Sequence, residues 1–77
     1  MLRLRIKEIA EQKGVSMTKL SYRAEVSYNT IKSYYHDPYR PFSSVTLERI
    51  ARALEVSPLD LLEYIPDEDG PSNRGKK

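Results

Sequence analysis

Short stretches of helical periodicity, each preceded by a serine, constrain the fold of this chain more than any other feature. Ser16, Ser27 and Ser57 stand just before three such stretches, and Ser43 or Ser44 stands before another. A serine at this position accepts a hydrogen bond from a free amide of the first helical turn. Strand-like alternation is nearly absent. The pattern predicts an all-α protein, a compact bundle of about five short helices.

The apolar positions define the inner face of each predicted helix. In the most regular stretch these positions fall three and four apart, which makes an amphipathic stripe of Leu47, Ile50, Ala51 and Leu54. The first predicted helix has Leu2, Ile6, Ile9 and Ala10 on its inner face. The second has Leu20 and Ala24, and the last has Leu59, Leu61, Leu62 and Ile65. Gly14 suits a left-handed end to the first helix. Ser57, Pro58 and Asp60 give the last helix a capping-box-like start.

Length and composition exclude several classes of protein. A chain of 77 residues without cysteine has room for one domain and cannot form disulfides or thiolate metal sites. One histidine cannot build an ordinary zinc site, and no apolar run is long enough to span a membrane. The carboxylates are scattered, and no nucleophile has an evident base. We therefore expect a cytoplasmic protein that is not an enzyme and has no catalytic residue, cofactor, metal or membrane partner.

Met17 to His36 has the pattern of a helix-turn-helix unit, in which two short helices meet at a steep angle across a tight turn. Val26 fills the turn, and Ile31 and Tyr34 anchor the second helix. The opposite side of that helix carries polar groups within one arc of about 140°, and they are Tyr28, Asn29, Lys32, Ser33 and His36. Such a side is typical of a helix that contacts base edges in the major groove.

Charge is distributed unevenly along the chain. From Met1 to Arg40 there are 8 Lys/Arg and 4 Asp/Glu, a net charge of +4, whereas from Pro41 to Lys77 there are 5 and 7, a net charge of −2. The positive half is the one that holds the helix-turn-helix pattern. We predict one domain over residues 1–65, followed by a polar, disordered tail over residues 66–77.

From about Leu4 to Leu62 the chain resembles the lambda-repressor/Cro-like (XRE-type) helix-turn-helix domains. The residues that carry the resemblance are Ile6 and Ile9, Gly14-Val15-Ser16, Leu20, Ala24-Glu25-Val26-Ser27, Thr30-Ile31, and Leu47, Ile50, Ala51, Leu54, Val56 and Ser57 leading to Leu61-Leu62. The resemblance implies a sequence-specific regulator of transcription, a repressor, that binds double-stranded DNA and is nucleoid-associated when bound.

The resemblance also assigns roles to individual residues. The family's base-reading positions fall on Ser27, Tyr28, Asn29, Lys32 and Ser33. Its phosphate-contacting positions fall on Ser16 and Met17 and around Tyr39 and Arg40, and the charge of Lys19 suggests the same role. For Lys19 and Arg40 an ordinary surface charge is the alternative. For His36 the alternative is pairing with the helix dipole, and for Asn29 it is a local hydrogen bond.

The chain departs from the family pattern at three places. Met17 stands where glutamine is frequent, and the loop from Asp37 to Phe42 is one residue longer than usual. Glu25 stands where the turn usually has glycine. We expect Glu25 either to adopt a left-handed conformation at a cost of about 1 kcal/mol or to change the turn geometry.

An alternative function is a protein-interaction module, such as an antitoxin or an adaptor, built on the same fold. Apolar groups on the last predicted helix could bind a protein partner or a second copy of the chain. The candidates are Leu59, Tyr64 and Ile65. We expect at most a weak homodimer, favoured on DNA because such domains bind paired half-sites.

Overall fold

The computed structural model describes residues 1–66. The elements in chain order are β1 (Leu2–Leu4), α1 (Ile6–Gln12), α2 (Met17–Ala24), α3 (Tyr28–His36), α4 (Ser44–Leu54), a 3-10 helix (Pro58–Leu61) and β2 (Leu62–Tyr64). The tail predicted for residues 66–77 lies, from residue 67 onward, outside the described residues. No helix within residues 1–66 has both the length and the apolar character needed to cross a membrane.

A two-stranded antiparallel sheet joins the two ends of the described chain. Leu2 pairs with Tyr64, Arg3 with Glu63 and Leu4 with Leu62. The prediction of an all-α bundle with about five helices is therefore wrong in detail: within residues 1–66 there are four α-helices, and the fifth is a short 3-10 helix that leads into a strand. Leu2 is also not on the inner face of a helix, because α1 begins at Ile6.

The serine caps begin the helices as predicted. The Oγ atoms of Ser16, Ser27 and Ser43 each accept a hydrogen bond, at 3.1 Å, from the backbone amide three residues later. Ser57 and Asp60 form a reciprocal capping box at the start of the 3-10 helix. Each cap satisfies an amide that would otherwise lack an intrahelical partner, so these local signals fix where α2, α3, α4 and the 3-10 helix begin.

One core holds the helices, the 3-10 helix and the inner end of the sheet together. Its buried side chains are Leu4, Ile6, Ile9, Ala10, Leu20, Ala24, Ile31, Tyr34, Leu47, Ile50, Ala51, Leu54 and Leu61. The amphipathic stripe predicted for α4 is buried in full. Of the apolar groups predicted for the last helix, Leu61 is buried and Leu62 packs against the core, but Leu59 is 77% exposed.

Within residues 1–66, three residues adopt left-handed backbone conformations. Gly14 has φ +69°, as predicted for the residue that ends the first helix. Glu25 has φ 57° and ψ 41°, so it takes the left-handed conformation in spite of its side chain. Glu55 does the same at the end of α4, with φ 60°.

Candidate nucleic-acid interface

Helices α2 and α3 form a helix-turn-helix unit whose inner side is apolar. Leu20 and Ala24 on α2 are buried, as are Ile31 and Tyr34 on α3, and Val26 packs against the core from the turn. Because α3 is anchored along one side only, its other side is left to solvent. The unit therefore has the arrangement predicted from its sequence.

The exposed side of α3 carries four polar side chains. Tyr28, Asn29, Lys32 and His36 are all exposed, with Tyr28 at 43%. Within residues 1–66, none of these four side chains forms a hydrogen bond or an ion pair with any other residue. An amide, an ammonium group, a phenol and an imidazole thus remain available for an external partner, and this combination suits contacts with base edges.

The two serines predicted to contact bases are already used within α3. The Oγ of Ser27 accepts from the Thr30 amide at 3.1 Å and shares a hydrogen with the Thr30 hydroxyl at 2.8 Å. The half-buried hydroxyl of Ser33 donates to the Thr30 carbonyl at 2.6 Å. Ser27 and Ser33 are thus both hydrogen-bonded to Thr30. Thr30 is not among the site residues predicted from the sequence. The Ser-x-x-Thr spacing that starts at Ser27 is the signal that points to Thr30.

The start of α2 offers backbone amides and the exposed ammonium group of Lys19. Ser16 caps the helix by accepting from the Lys19 amide, and the side chain of Lys19 is exposed. Met17 is half-buried and packs against the core, so a contact from this position to a phosphate would use its backbone N–H. Free amides and the dipole at a helix N-terminus favour an anion there.

The loop after α3 is held in place near its start. The Tyr39 amide donates to the Asp37 carboxylate at 3.1 Å, and the Pro38 carbonyl accepts from the Leu4 amide at 2.7 Å. The guanidinium of Arg40 lies over the Tyr34 ring, 5.6 Å from its centroid. Tyr39 and Arg40 are nevertheless exposed. The loop therefore positions a cation beside α3 while leaving its charge accessible.

A second group of cations lies where α2 and α4 end. The exposed side chains of Arg23, Arg49 and Arg52 line one hollow of about 350 Å³ together with Ala24 and Glu25. The sequence reasoning missed this group because its members lie on two helices that are far apart in the sequence. Arg23 and Arg52 also lie in the last turns of their helices, where a cation complements the helix dipole.

The residues predicted for a dimer interface do not lie on a common helix. Leu59 is in the 3-10 helix and is 77% exposed, whereas Tyr64 is in β2 and is 69% exposed. Ile65 is half-buried, and its backbone pairs with that of Met1. The exposed apolar groups at this end of the molecule are therefore divided between the 3-10 helix and β2.

Comparison with known structures shows where else this fold occurs. The chain is similar to the restriction-modification controller protein C.AhdI from Aeromonas hydrophila, known from a high-resolution crystal structure. The TM-score is 0.64 at 23% sequence identity, and the match covers 73% of this chain and 83% of that one. At this identity the likeness shows the fold alone. No curated protein matches the sequence.

Comparison with family models is decisive for classification. The model of the Cro/C1-type helix-turn-helix DNA-binding domain matches residues 5–67. The match contains α1 to α4, the 3-10 helix and β2, and with them the exposed side of α3. The resemblance inferred from sequence is thereby confirmed, and the chain belongs to the Cro/C1-type helix-turn-helix DNA-binding domain family.

Proposed function

We propose that this chain is a sequence-specific repressor that inserts α3 into the major groove of double-stranded DNA. The observation that supports this most directly is the exposed side of α3, where Tyr28, Asn29, Lys32 and His36 have no partner among the described residues. Ile31 and Tyr34 hold the opposite side of α3 in the core. A helix held in this way can contact base edges without reorganising, which lowers the cost of binding.

Within this proposal the exposed side chains contact bases. The amide of Asn29 suits a bidentate pair with adenine, and the ammonium group of Lys32 suits the acceptors of guanine. The ring of Tyr28 reaches a thymine methyl group or a phosphate. The Ser27 hydroxyl is hydrogen-bonded to the Thr30 hydroxyl, and the Ser33 hydroxyl donates to the Thr30 carbonyl. They therefore contribute acceptor lone pairs or simply clearance for the base edges.

Phosphate contacts fix the register of the domain on the duplex. In chain order, the start of α2, with Ser16, Met17 and Lys19, begins the unit, and Tyr39 and Arg40 follow the end of α3. Such contacts carry no sequence information, but they supply most of the affinity and make it dependent on salt.

The proposed regulation is by occlusion of a promoter in the cytoplasm, at the nucleoid. Occupancy of the operator is sufficient for this mode, so it needs only the DNA-binding unit. The family membership established above supports regulation of transcription as the purpose of the DNA contact.

Selection of bound duplexes from a random pool, followed by titration of the selected and scrambled sequences, tests the proposal. Specific sites are expected to bind at least about 10³-fold more tightly than scrambled ones, with affinity falling as salt rises. The double variant Asn29→Ala/Lys32→Ala should lose this preference. Glu48→Ala is the control, since Glu48 is exposed on α4, outside the helix-turn-helix unit. Equal affinity for all duplexes, or no salt-dependent binding, contradicts the proposal.

A further inference from the structure

The ends of α1, α2 and α4 bring four cations together. Lys13 is the C-cap of α1, Arg23 is in the last turn of α2, and Arg49 and Arg52 lie on α4. All four are exposed. Arg23 connects the others, because it lines the hollow of about 350 Å³ with Arg49 and Arg52 and a second hollow of about 310 Å³ with Lys13. We call these four residues the basic surface.

The fold uses little of the hydrogen-bonding capacity of the basic surface. A guanidinium has five N–H donors. Arg49 uses one of them for the Glu25 carbonyl, and within residues 1–66 the four side chains make no other hydrogen bond and no ion pair. A helix dipole stabilises the charge of a cation in the last turn but does not pair its donors. Most of these donors are therefore available to acceptors on another molecule.

Two carboxylates line the same hollows without neutralising the basic surface. Glu25 ends α2 and lines the larger hollow, and Glu55 ends α4 and lines the smaller one. Neither forms an ion pair within the described part of the chain. Four cations and two carboxylates leave a net charge of +2, which favours an anionic partner.

The shape of the basic surface favours an acidic polypeptide over a single small anion. The cations are divided between two hollows and three helices, so one small anion would contact only part of them. A segment with several Asp or Glu side chains can place a carboxylate in each hollow, and guanidinium groups pair with carboxylates in a bidentate geometry. Val15, Ala53 and Leu54 add apolar walls to the smaller hollow, and apolar groups beside arginine are typical of protein interfaces.

The DNA contacts proposed above do not need the basic surface. They place phosphates at the start of α2, whereas Arg23 lies seven residues beyond Ser16, about 10 Å farther along the helix axis. Arg49 and Arg52 lie on α4, outside the helix-turn-helix unit. The basic surface also shares no residue with the exposed side of α3. A protein partner is therefore the better occupant, and DNA is the alternative that the test must distinguish.

We propose that the basic surface binds an acidic segment of a partner protein, whose carboxylates pair with the guanidinium groups of Arg23, Arg49 and Arg52. This binding does not rest on the proposed DNA contact. The bound segment lies beside Glu25, which joins α2 to the turn before α3.

Fluorescence anisotropy of a labelled oligoglutamate peptide, titrated with the full chain, tests the proposal. The dissociation constant is expected below about 100 µM, and an oligoglutamine peptide of the same length should not bind. Arg23→Gln/Arg52→Gln should weaken binding at least about 10-fold. Arg49 is left unchanged because it holds the Glu25 carbonyl. Lys7→Gln/Lys32→Gln is the matched control, because it removes the same charge from exposed positions on α1 and α3 and should change affinity less than about 2-fold.

A gain of affinity provides a readout that misfolding cannot produce. Glu55→Gln removes a carboxylate from the smaller hollow and should tighten peptide binding about 2- to 5-fold. Thermal unfolding by circular dichroism establishes that each variant is folded.

Several results would overturn the proposal. One is failure of the peptide to bind, and another is equal loss of affinity in the two double variants. Displacement of the peptide by inorganic phosphate at equal total charge would indicate a site for small anions. If neutralising Asp67, Glu68 and Asp69 tightened peptide binding more than Glu55→Gln, the chain's own acidic residues would be the occupant.

DNA titration separates this proposal from the proposed function. Arg23→Gln/Arg52→Gln should bind a selected duplex like the native chain, whereas Lys7→Gln/Lys32→Gln should bind it more weakly because Lys32 is proposed to contact a base. Weaker binding of every duplex by Arg23→Gln/Arg52→Gln would make the basic surface part of the DNA interface and overturn the assignment to a protein partner. Failure of the peptide alone leaves the DNA proposal standing.

Discussion

The guanidinium of Arg49 donates a hydrogen bond from Nη1 to the backbone carbonyl of Glu25 at 3.3 Å. Glu25 is the left-handed residue that ends α2 and begins the turn before α3. Helix α4 packs against α2. Through Arg49 it also contacts the turn at Glu25, the residue in the left-handed conformation. The orientation of α3, on which the proposed DNA contact depends, is thus set partly from outside the helix-turn-helix unit.

Replacement of Glu25 by glycine should stabilise the protein. A left-handed conformation is unfavourable for a residue with a Cβ, and glycine removes that cost. We expect Glu25→Gly to raise the free energy of unfolding by up to about 1 kcal/mol, after allowance for the greater freedom of glycine in the unfolded chain. Urea unfolding followed by circular dichroism measures the change.

Two further substitutions make the comparison specific to backbone conformation. Glu55→Gly, at φ 60°, should stabilise by a similar amount. Gly14→Ala should destabilise by about 1 kcal/mol, because Gly14 has φ +69° while a Cβ there would meet no atom within 4 Å. A loss of stability in Glu25→Gly would show that the Glu25 side chain contributes more than its backbone costs.

The features that sequence reasoning predicted correctly are local. A cap such as Ser16 or Ser27 depends on an amide three residues away, and the stripe from Leu47 to Leu54 depends on one helical period. The sheet was missed because its strands have three residues each and pair the two ends of the described chain. Three residues are too few to show alternation, so Leu2 at helical spacing from Ile6 was assigned to a helix.

The same distinction applies to the candidate interface. The polar side of α3 follows from periodicity, so Asn29 and Lys32 could be selected from the sequence and are exposed in the structure. The hydrogen bond from Ser33 to the Thr30 carbonyl depends on a rotamer that periodicity does not specify. The hollow formed by Arg23, Arg49 and Arg52 depends on how α2 packs on α4, which is a property of the whole fold.

The contact between Arg3 and Glu8 should make the stability of the fold decrease at acid pH. Partial burial raises the pKa of Glu8, but the hydrogen bond from Arg3, the backbone hydrogen bond and the nearby positive charges outweigh it, and the pKa is lowered from its ordinary value of 4.5. A carboxylate whose pKa is lowered by folding stabilises the fold at pH values above its pKa in the unfolded chain. That contribution is lost as the pH falls through its pKa in the folded protein. Stability should therefore begin to fall below about pH 4.5.

Thermal unfolding at a series of pH values between about 7 and 3 measures this dependence. Glu8→Gln should flatten the acid limb and lower stability at neutral pH. The effect is modest and decreases with salt, because the Arg3 and Glu8 side chains remain 27% and 39% exposed. Glu48→Gln is the control, since Glu48 forms no ion pair within the described part of the chain. An identical acid limb in the native chain and Glu8→Gln would exclude this contact as its cause.

Arg40 should contribute affinity without contributing specificity. Its guanidinium is held over the Tyr34 ring and remains exposed beside α3, which suits a phosphate contact. Arg40→Ala should weaken binding to all duplexes alike and reduce the slope of log K against log salt by about 0.9. Isothermal titrations at several salt concentrations give both quantities. Glu48→Ala, on the outer side of α4, serves as a control for general surface change.

Asn29 should contribute specificity at one base pair. Its amide is exposed in the first turn of α3 and has no hydrogen-bond partner within residues 1–66, so it can form two hydrogen bonds with adenine. Asn29→Ala should cost about 1–3 kcal/mol on the preferred sequence and almost nothing on duplexes that already carry the wrong base at that position. Titration of the native chain and the variant against all four base pairs at each operator position locates the contact. If Asn29→Ala instead weakened every duplex equally while Arg40→Ala changed the preferred base, the two residues would have the opposite roles, with Asn29 fixing the register and Arg40 contacting the base.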